Sequence, residues 1–209
     1  MAKKTDNHNL PAKLALRRHF LRTFHGDGDI RVLDCCQASG KIWGALRQEF
    51  PCRYWGVDLK AKPGRLKIDS VRILEQPGLE QNVIDIDTYG SPWKHWFALL
   101  RNAQFDLTVF LTIGLVKIGG GNADRALLDA LGLTFKTLKI PNAIGARIGE
   151  TGVAACIARA RDFQFEILDC VEAPNLGGHA RYIGIRLISR WQKAPPTGGR
   201  GGAPPSLPS

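Results

Sequence analysis

Asp29-Ile30-Arg31-Val32-Leu33-Asp34, followed by Cys35-Cys36-Gln37-Ala38-Ser39-Gly40, opens the unit from which the fold is read. Asp29 to Asp34 has the composition of a strand, and Gln37 to Gly40 that of a tight turn of small residues. Lys41 to Phe50 places Ile42, Ala45, Leu46 and Phe50 on one face, which is helical spacing. Pro51 stops that helix, and Arg53-Tyr54-Trp55-Gly56-Val57-Asp58 is a second strand ending in an acid. Strand, small-residue turn, helix and acid-terminated strand make a nucleotide-binding half-fold. Small residues let the backbone approach a ligand, and the second acid can hold two ribose hydroxyls. The spacing from Asp34 to Asp58 is close to the roughly 20 residues expected of such a unit.

A second stretch carries the chemistry: Asn82-Val83-Ile84-Asp85-Ile86-Asp87-Thr88-Tyr89-Gly90-Ser91-Pro92. A short apolar run ends in two carboxylates, an aromatic residue and a Gly-Ser-Pro turn. Ligands of open α/β sheets bind outside the carboxyl ends of the strands. There an acid can take a hydrogen bond from a flat, nitrogen-bearing substrate while the ring stacks on it. The plainer alternative is a strand end whose Asp caps the next helix while Tyr89 packs.

The first turn says which nucleotide. A dinucleotide site wants the three glycines of G-x-G-x-x-G, so that a pyrophosphate rests on the helix N-terminus. Ala38, Ser39 and Gly40 supply only one, with Gly44 further into the helix. S-adenosylmethionine (SAM) carries no phosphate and tolerates such a turn, and Asp34 can answer its cationic methionine portion.

Val32-Leu33-Asp34 with Ala38-Ser39-Gly40, then Val57-Asp58, then Ile84 through Pro92, together resemble class I SAM-dependent methyltransferases. The nearest match is the tRNA guanine-N2 dimethyltransferase family, whose fourth motif runs Asp-(Leu/Ile)-Asp-Pro-(Tyr/Phe)-Gly-Ser-Pro. The resemblance spans residues 30 to 118. It implies a Rossmann-like α/β fold, a mostly parallel sheet with an antiparallel C-terminal hairpin. It also implies SAM as cofactor and N-methylation of an exocyclic amine of a nucleic-acid base, RNA favoured over DNA. Asp87 and the Thr88 carbonyl would bond the amine and Tyr89 would stack on the base. Asp34, Ala38, Ser39 and Gly40 would lie near the methionine and ribose, Asp58 at the ribose hydroxyls and Asp69 near the adenine, with Asp85 in the same pocket. Asp69 reads equally well as the N-cap of the next helix. Thr88 stands where the family has proline, which loosens the backbone at the presumed catalytic carbonyl. Residues 59 to 65 are too few for the usual crossover helix. No large C-terminal RNA-binding domain follows, so tRNA in particular is not implied.

Composition narrows the partners. The 209 residues, 44% hydrophobic, suffice for one sizeable core, and a net charge of +10 with a pI near 9.7 points to a polyanion. A soluble protein that is merely basic is the alternative. Five cysteines without a C-x-x-C pair argue for reduced thiols in a cytoplasmic protein, with no zinc site. No apolar segment reaches membrane-helix length, and no signal-peptide core is apparent.

The expected organisation is a flexible 1–9, one domain over 10–191, and a disordered Pro/Gly-rich 192–209. Pro11 to Phe24 reads as an amphipathic helix, with Leu14, Phe20, Leu21 and Phe24 packing and Lys13, Arg17, Arg18 and Arg22 in solvent. Arg17, Arg18 and Arg22, with Pro92, are candidate substrate contacts, although a basic solvated face is as good an account of the arginines. Further expected elements are a strand at 66–69, helices at 70–76, 92–102 and 123–131, a strand at 105–112, and a Gly119–Gly121 loop. A helix within 144–161 should begin near 149–151. Strands at 163–171 and 181–190 are joined by hairpin chemistry. Two rival functions remain: a nicotinamide-dependent oxidoreductase, disfavoured by the glycine-poor turn, and a catalytically idle relative that binds nucleic acid or protein.

Overall fold

The computed structural model describes residues 9–60, 66–88, 90–114, 125–133, 142–174 and 180–191, without the side chains of 142–149. The expected flexible N-terminus (apart from Asn9), the Gly119–Gly121 loop, Tyr89 and the 192–209 tail lie outside these residues.

Helix α1 (Leu10–Phe24) precedes strand β1 (Ile30–Asp34), and helix α2 (Lys41–Leu46) leads to β2 (Cys52–Asp58). Beyond Leu46 the chain continues in tight turns, so α2 is shorter than its spacing suggests. Then come β3 (Leu66–Lys67), α3 (Ser70–Leu74), β4 (Val83–Ile86), α4 (Trp93–Asn102) and β5 (Leu107–Gly114). Helices α5 (Arg125–Ala130) and α6 (Asn142–Ala158) lead through a 3₁₀ turn, Arg159–Phe163, to β6 (Phe165–Ala173) and β7 (Ala180–Ser189). Helix α6 starts directly after Pro141, earlier than expected. The 3₁₀ turn, closed by Gln164 at φ 65, delays β6 to Phe165.

The strands form one seven-stranded sheet in the order β3-β2-β1-β4-β5-β7-β6. Strands β1 to β5 are parallel; β7 runs antiparallel to β5 and β6 antiparallel to β7, as the hairpin predicted. β2 and β3 pair in parallel although only residues 59–65 separate them. The crossover is indeed shorter than a helical one needs.

Period-two alternation sorts the strand side chains between two cores. Leu33, Ile84, Ile86, Leu107, Val109 and Ile185 pack against α3, α4 and α6. Ile30, Val32, Val83, Phe110 and Tyr182 pack against α1 and α2. On that second face Phe20 is fully buried, worth about 1.5–3 kcal/mol. Its ring fills the hollow over Gly184, where a Cβ would collide with it. Helix α1 is therefore seated firmly across the sheet, and this decides where its polar residues go. Leu16, Phe20 and Leu21 are buried as helical spacing requires, but so are Lys13 and Arg17. The expectation that these two face solvent is corrected: both lie on the sheet side of the helix, above acids the strands present.

Candidate active site at the carboxyl ends of the strands

Asp34 closes β1, Asp58 closes β2, and Asp85 and Asp87 lie at the end of β4 and just beyond it. Parallel pairing sets Asp34 level with Gly56 on one side and Asp85 on the other. Asp34, Asp85 and Asp87 all project to the α1 face. Three carboxylates thus meet in one place, and their surroundings differ.

The first turn is pinned between strand ends. Cys35 N donates to Asp85 O (2.9 Å), Gln37 N to Val57 O (2.9 Å) and Gly40 N to Gln37 O (2.7 Å). Ala38 at φ 45 and Gly40 at φ 67 are both left-handed, and for Ala38 this is a strained conformation of the sort that clusters at ligand sites. Asp58 accepts from Ala38 N (3.0 Å) and Lys60 N (2.9 Å), so the acid of the second strand faces the turn of the first. Ala38 and Ser39 are exposed and Gly40 half-buried.

Asp34 is buried and, among the described residues, accepts hydrogen bonds from the Tyr54 hydroxyl (2.8 Å) and Cys36 N (3.2 Å). Tyr54 reaches it across Gly56, where any Cβ would strike the phenol oxygen and Gln37. Burial, then the neighbouring Asp85, lifts the Asp34 carboxyl to about 7 against the two hydrogen bonds, with Asp87 adding to the lift.

Asp85 is differently placed. Arg17 donates from Nε (2.8 Å) and Nη2 (2.6 Å), and Trp43 Nε1 adds a third bond (2.7 Å). Both members of the ion pair are 1% exposed. The Arg17 guanidinium also lies 4.9 Å from the Phe110 ring centroid. Burial works against its charge, but Asp85 foremost, then Asp87 and Asp34, keep its pKa raised. Asp85 was expected in the cofactor pocket and Arg17 at the substrate; each is instead the other's buried partner.

Lys13 Nζ lies 2.8 Å from each oxygen of Asp87. Burial pushes the Asp87 carboxyl up, but Lys13, Arg17 and a weak pull from the Thr112 hydroxyl prevail and hold it below the usual range. Thr88 is buried with its hydroxyl unpartnered. Gly114 N donates to Gly90 O (2.8 Å), tying the motif loop to the end of β5. Pro92 caps α4 and is itself buried, which corrects its expected contact with substrate. Asp69 accepts from Val71 N (3.0 Å) as the N-cap of α3. Behind it Ser70 and His95 are 3.0 Å apart, and burial lowers the His95 pKa despite Asp69. Arg18 and Arg22 are the helix residues that do face outward, both paired with Glu49.

Buried polar atoms without a partner mark where a ligand fits. Among the described residues there are six, and Gln37 Oε1, Thr88 Oγ1 and His95 Nδ1 lie around the carboxyl ends of β1 and β4; Thr112 Oγ1, a fourth nearby, is close enough to Asp87 to bear on its pKa. Such atoms are costly unless something completes them. The open cavity of about 430 Å³ lined by Trp55, Ile73 and Leu79 lies elsewhere, beside the segment that enters β4. The described residues contain no cluster of ligands suited to a metal, and no helix among them is long and apolar enough to cross a membrane.

Sequence reasoning missed Lys13, Tyr54, Trp43, Gln37 and His95. For Lys13 a signal existed: its spacing to Arg17 matches that of Asp87 to Asp85.

No family model and no curated protein matches the chain. Solved structures do. Trm1 from Pyrococcus horikoshii, in complex with S-adenosyl-L-methionine, aligns over 88% of this chain with TM-score 0.55 and 16% identity. The fold is that of class I methyltransferases. The chain spans only 55% of that Pyrococcus chain. TYW2 from M. jannaschii, in complex with AdoMet, aligns over 85% of this chain and 76% of its own with TM-score 0.50 and 6% identity. A Lactococcus lactis protein described as a candidate hemolysin aligns over 86% and 87% with TM-score 0.55 and 10% identity.

Proposed function

We propose that this protein is a SAM-dependent methyltransferase that N-methylates an exocyclic amine of a nucleic-acid base, RNA favoured over DNA. The observation that carries the reading is Asp34: a desolvated carboxylate with no cationic partner among the described residues, beside a strained turn tied to Asp58. A ligand that brings a positive charge and ribose hydroxyls completes that set, and SAM brings both. The unpartnered Gln37 and Thr88 oxygens fit a polar ligand in the same place. SAM, when bound, supplies an electrophilic methyl group.

The chain's own residues supply orientation and charge. Asp34 answers the methionine portion, Asp58 the ribose, and Ala38 to Gly40 let the ligand approach the backbone. Asp69 and the half-buried His95 flank the adenine end. An exocyclic amine is a poor nucleophile because its lone pair is delocalised into the ring. Hydrogen bonds from it to Asp87 and the Thr88 carbonyl localise that pair, while Tyr89 stacks on the base. A base within a duplex must first be flipped out. The basic surface, with Arg18 and Arg22 outward, suits the polyanion. The solved structures of TYW2 and Trm1 both hold S-adenosyl-L-methionine, which supports the cofactor reading.

Calorimetric titration with SAM, S-adenosylhomocysteine and NAD tests the cofactor; tight binding of NAD instead of SAM would overturn it. Transfer of labelled methyl from SAM to bulk tRNA, ribosomal RNA and single-stranded DNA, with nucleoside analysis, tests the acceptor. An N-methylated base is expected, and a methylated carbon or ribose oxygen contradicts the role of Asp87. Asp87→Ala should leave SAM binding near intact and slow transfer by about 10²-fold or more.

A further inference from the structure

We propose that Lys13 is a positioning residue for this reaction: its ammonium fixes the plane of the Asp87 carboxylate and holds it as an anion, leaving the outer lone pairs free for the substrate amine. The inference rests on the methyltransferase reading of the site.

Lys13 Nζ sits between the two Asp87 oxygens, 2.8 Å from each. A carboxylate has about four acceptor sites, so a single ammonium bonded this way leaves outward-facing ones unused. Exposure matches that division: the Lys13 side chain is 4% exposed and Asp87 19%. The acid is open on one edge and its cation is sealed in.

Lys13 is also not free to withdraw. Its ammonium lies 4.9 Å from the Tyr182 ring centroid. One helical turn along, Arg17 is locked to Asp85, and a further turn brings Phe20 beneath Gly184. The Lys13 backbone is thus held over the acids, and an ammonium leaving Asp87 would break both bonds from a site where its side chain is 4% exposed. Other charged or titratable groups around Asp87 are Arg17 on α1, Asp34 and Cys36 at the end of β1, and Asp85 on β4. Arg17 acts on Asp87 from its pair with Asp85, and Lys13 is the cation bonded directly to Asp87 among the described residues.

In the reaction the nitrogen lone pair forms the N–C bond while the C–S bond breaks, its electron pair staying on sulfur. The nitrogen then sheds one proton. A methylated exocyclic nitrogen still carrying that proton is a far stronger acid than a carboxylic acid. Asp87 therefore accepts the proton even with its own basicity reduced, and passes it to water.

The test compares wild type with Lys13→Met, Lys13→Gln and Lys13→Arg, each checked for folding by circular dichroism and for SAM binding. With labelled SAM and bulk nucleic acid, Lys13→Met should slow transfer at pH 6 by about tenfold or more, and less at pH 8. The acid limb of its pH–rate profile should move up by about one unit or more, and Lys13→Arg should restore both. Carbon-13 NMR of labelled aspartate carboxyls, assigned with Asp87→Asn, should show Asp87 titrating higher in Lys13→Met. If Lys13→Met does not fold, Lys13→Gln makes the same comparison. An unmoved profile and titration would overturn the proposal, and faster transfer would identify Lys13 as a competitor for Asp87. Failure of wild type to methylate any pool removes the nucleic-acid acceptor and, with it, this role of Lys13, even if the titration shifts.

Discussion

Asp34 and Asp85 stand level on neighbouring strands, are both buried, and meet opposite fates. Asp85 receives a guanidinium and an indole; Asp34 receives a phenol and a peptide N–H, both neutral. Asp87, one step beyond, is supplied with an ammonium. Buried carboxylates are ordinarily paired, so the one left without a cation is the one at which an incoming cation is stabilising. The β4 acids are provided for by α1, and the β1 acid is the one assigned to the cofactor in the proposed function.

The comparison breaks most visibly at Arg17. Arg17→Met strands the Asp85 carboxylate in the core and should cost about 3–5 kcal/mol, read from urea or guanidinium unfolding. Superimposable unfolding curves would mean the pair contributes nothing. Next comes Asp58→Ala, which removes the acid facing the first turn and should weaken SAM binding by about 1–3 kcal/mol. Unchanged affinity in the folded variant takes Asp58 out of the site.

Asp34 sharpens the contrast through pH. Its carboxyl sits at about 7, well above the 3.8 of an ordinary aspartate. Between those values the folded protein keeps a proton that the unfolded chain has shed. This group's contribution therefore makes stability fall as pH rises across the window. Asp34→Asn should lack that fall. A ligand cation at Asp34 must expel the proton, so SAM should bind more tightly at pH 8 than at pH 6, with proton release visible in calorimetry across buffers of different ionisation heat. A flat profile in wild type would remove the cation from Asp34. The smallest effect is expected outside the pocket. Arg18→Glu with Arg22→Glu should lower nucleic-acid binding at low salt only, since the contribution is counterion release. Overlaid filter-binding curves would make that helix face structural.

Strands β4 and β5 were legible as short apolar runs, β1 and β2 as strands ending in an acid, and the turns after β1 and β4 by small residues or proline. The antiparallel finish followed from the Pro174, Gly177, Gly178 chemistry between the last strands. The acids Asp34, Asp58, Asp85 and Asp87 were legible as strand termini. Their partners were not, because a periodic pattern records which face a residue occupies and not what lies across from it. Lys13 and Arg17 looked like solvent residues on a basic helix; geometry made them core. Residues four apart on a helix rise about 6 Å, and residues two apart on a strand about 6.6 Å. Lys13 and Arg17 therefore meet Asp87 and Asp85 one to one, with helix and strand running in opposite directions. Asp69 was ambiguous in the sequence, and its side chain does cap α3 while standing beside His95.

The seat of α1 has a consequence for how the molecule is made. This helix leaves the ribosome before any strand, yet Phe20 settles against Gly184, and Asn9 Nδ2 bonds Pro174 O (3.1 Å), both near the far end of the chain. Contacts this distant in sequence are slow to close. Until β7 is in place the helix lacks that part of its bed, and Lys13 and Arg17 are not yet fixed over the acids they neutralise. A nascent chain stopped before Ala180 would hold Asp85 and Asp87 on a half-built sheet with their cations still at large. Pairing of β7 is what completes the seat of α1 and so fixes both cations over their acids.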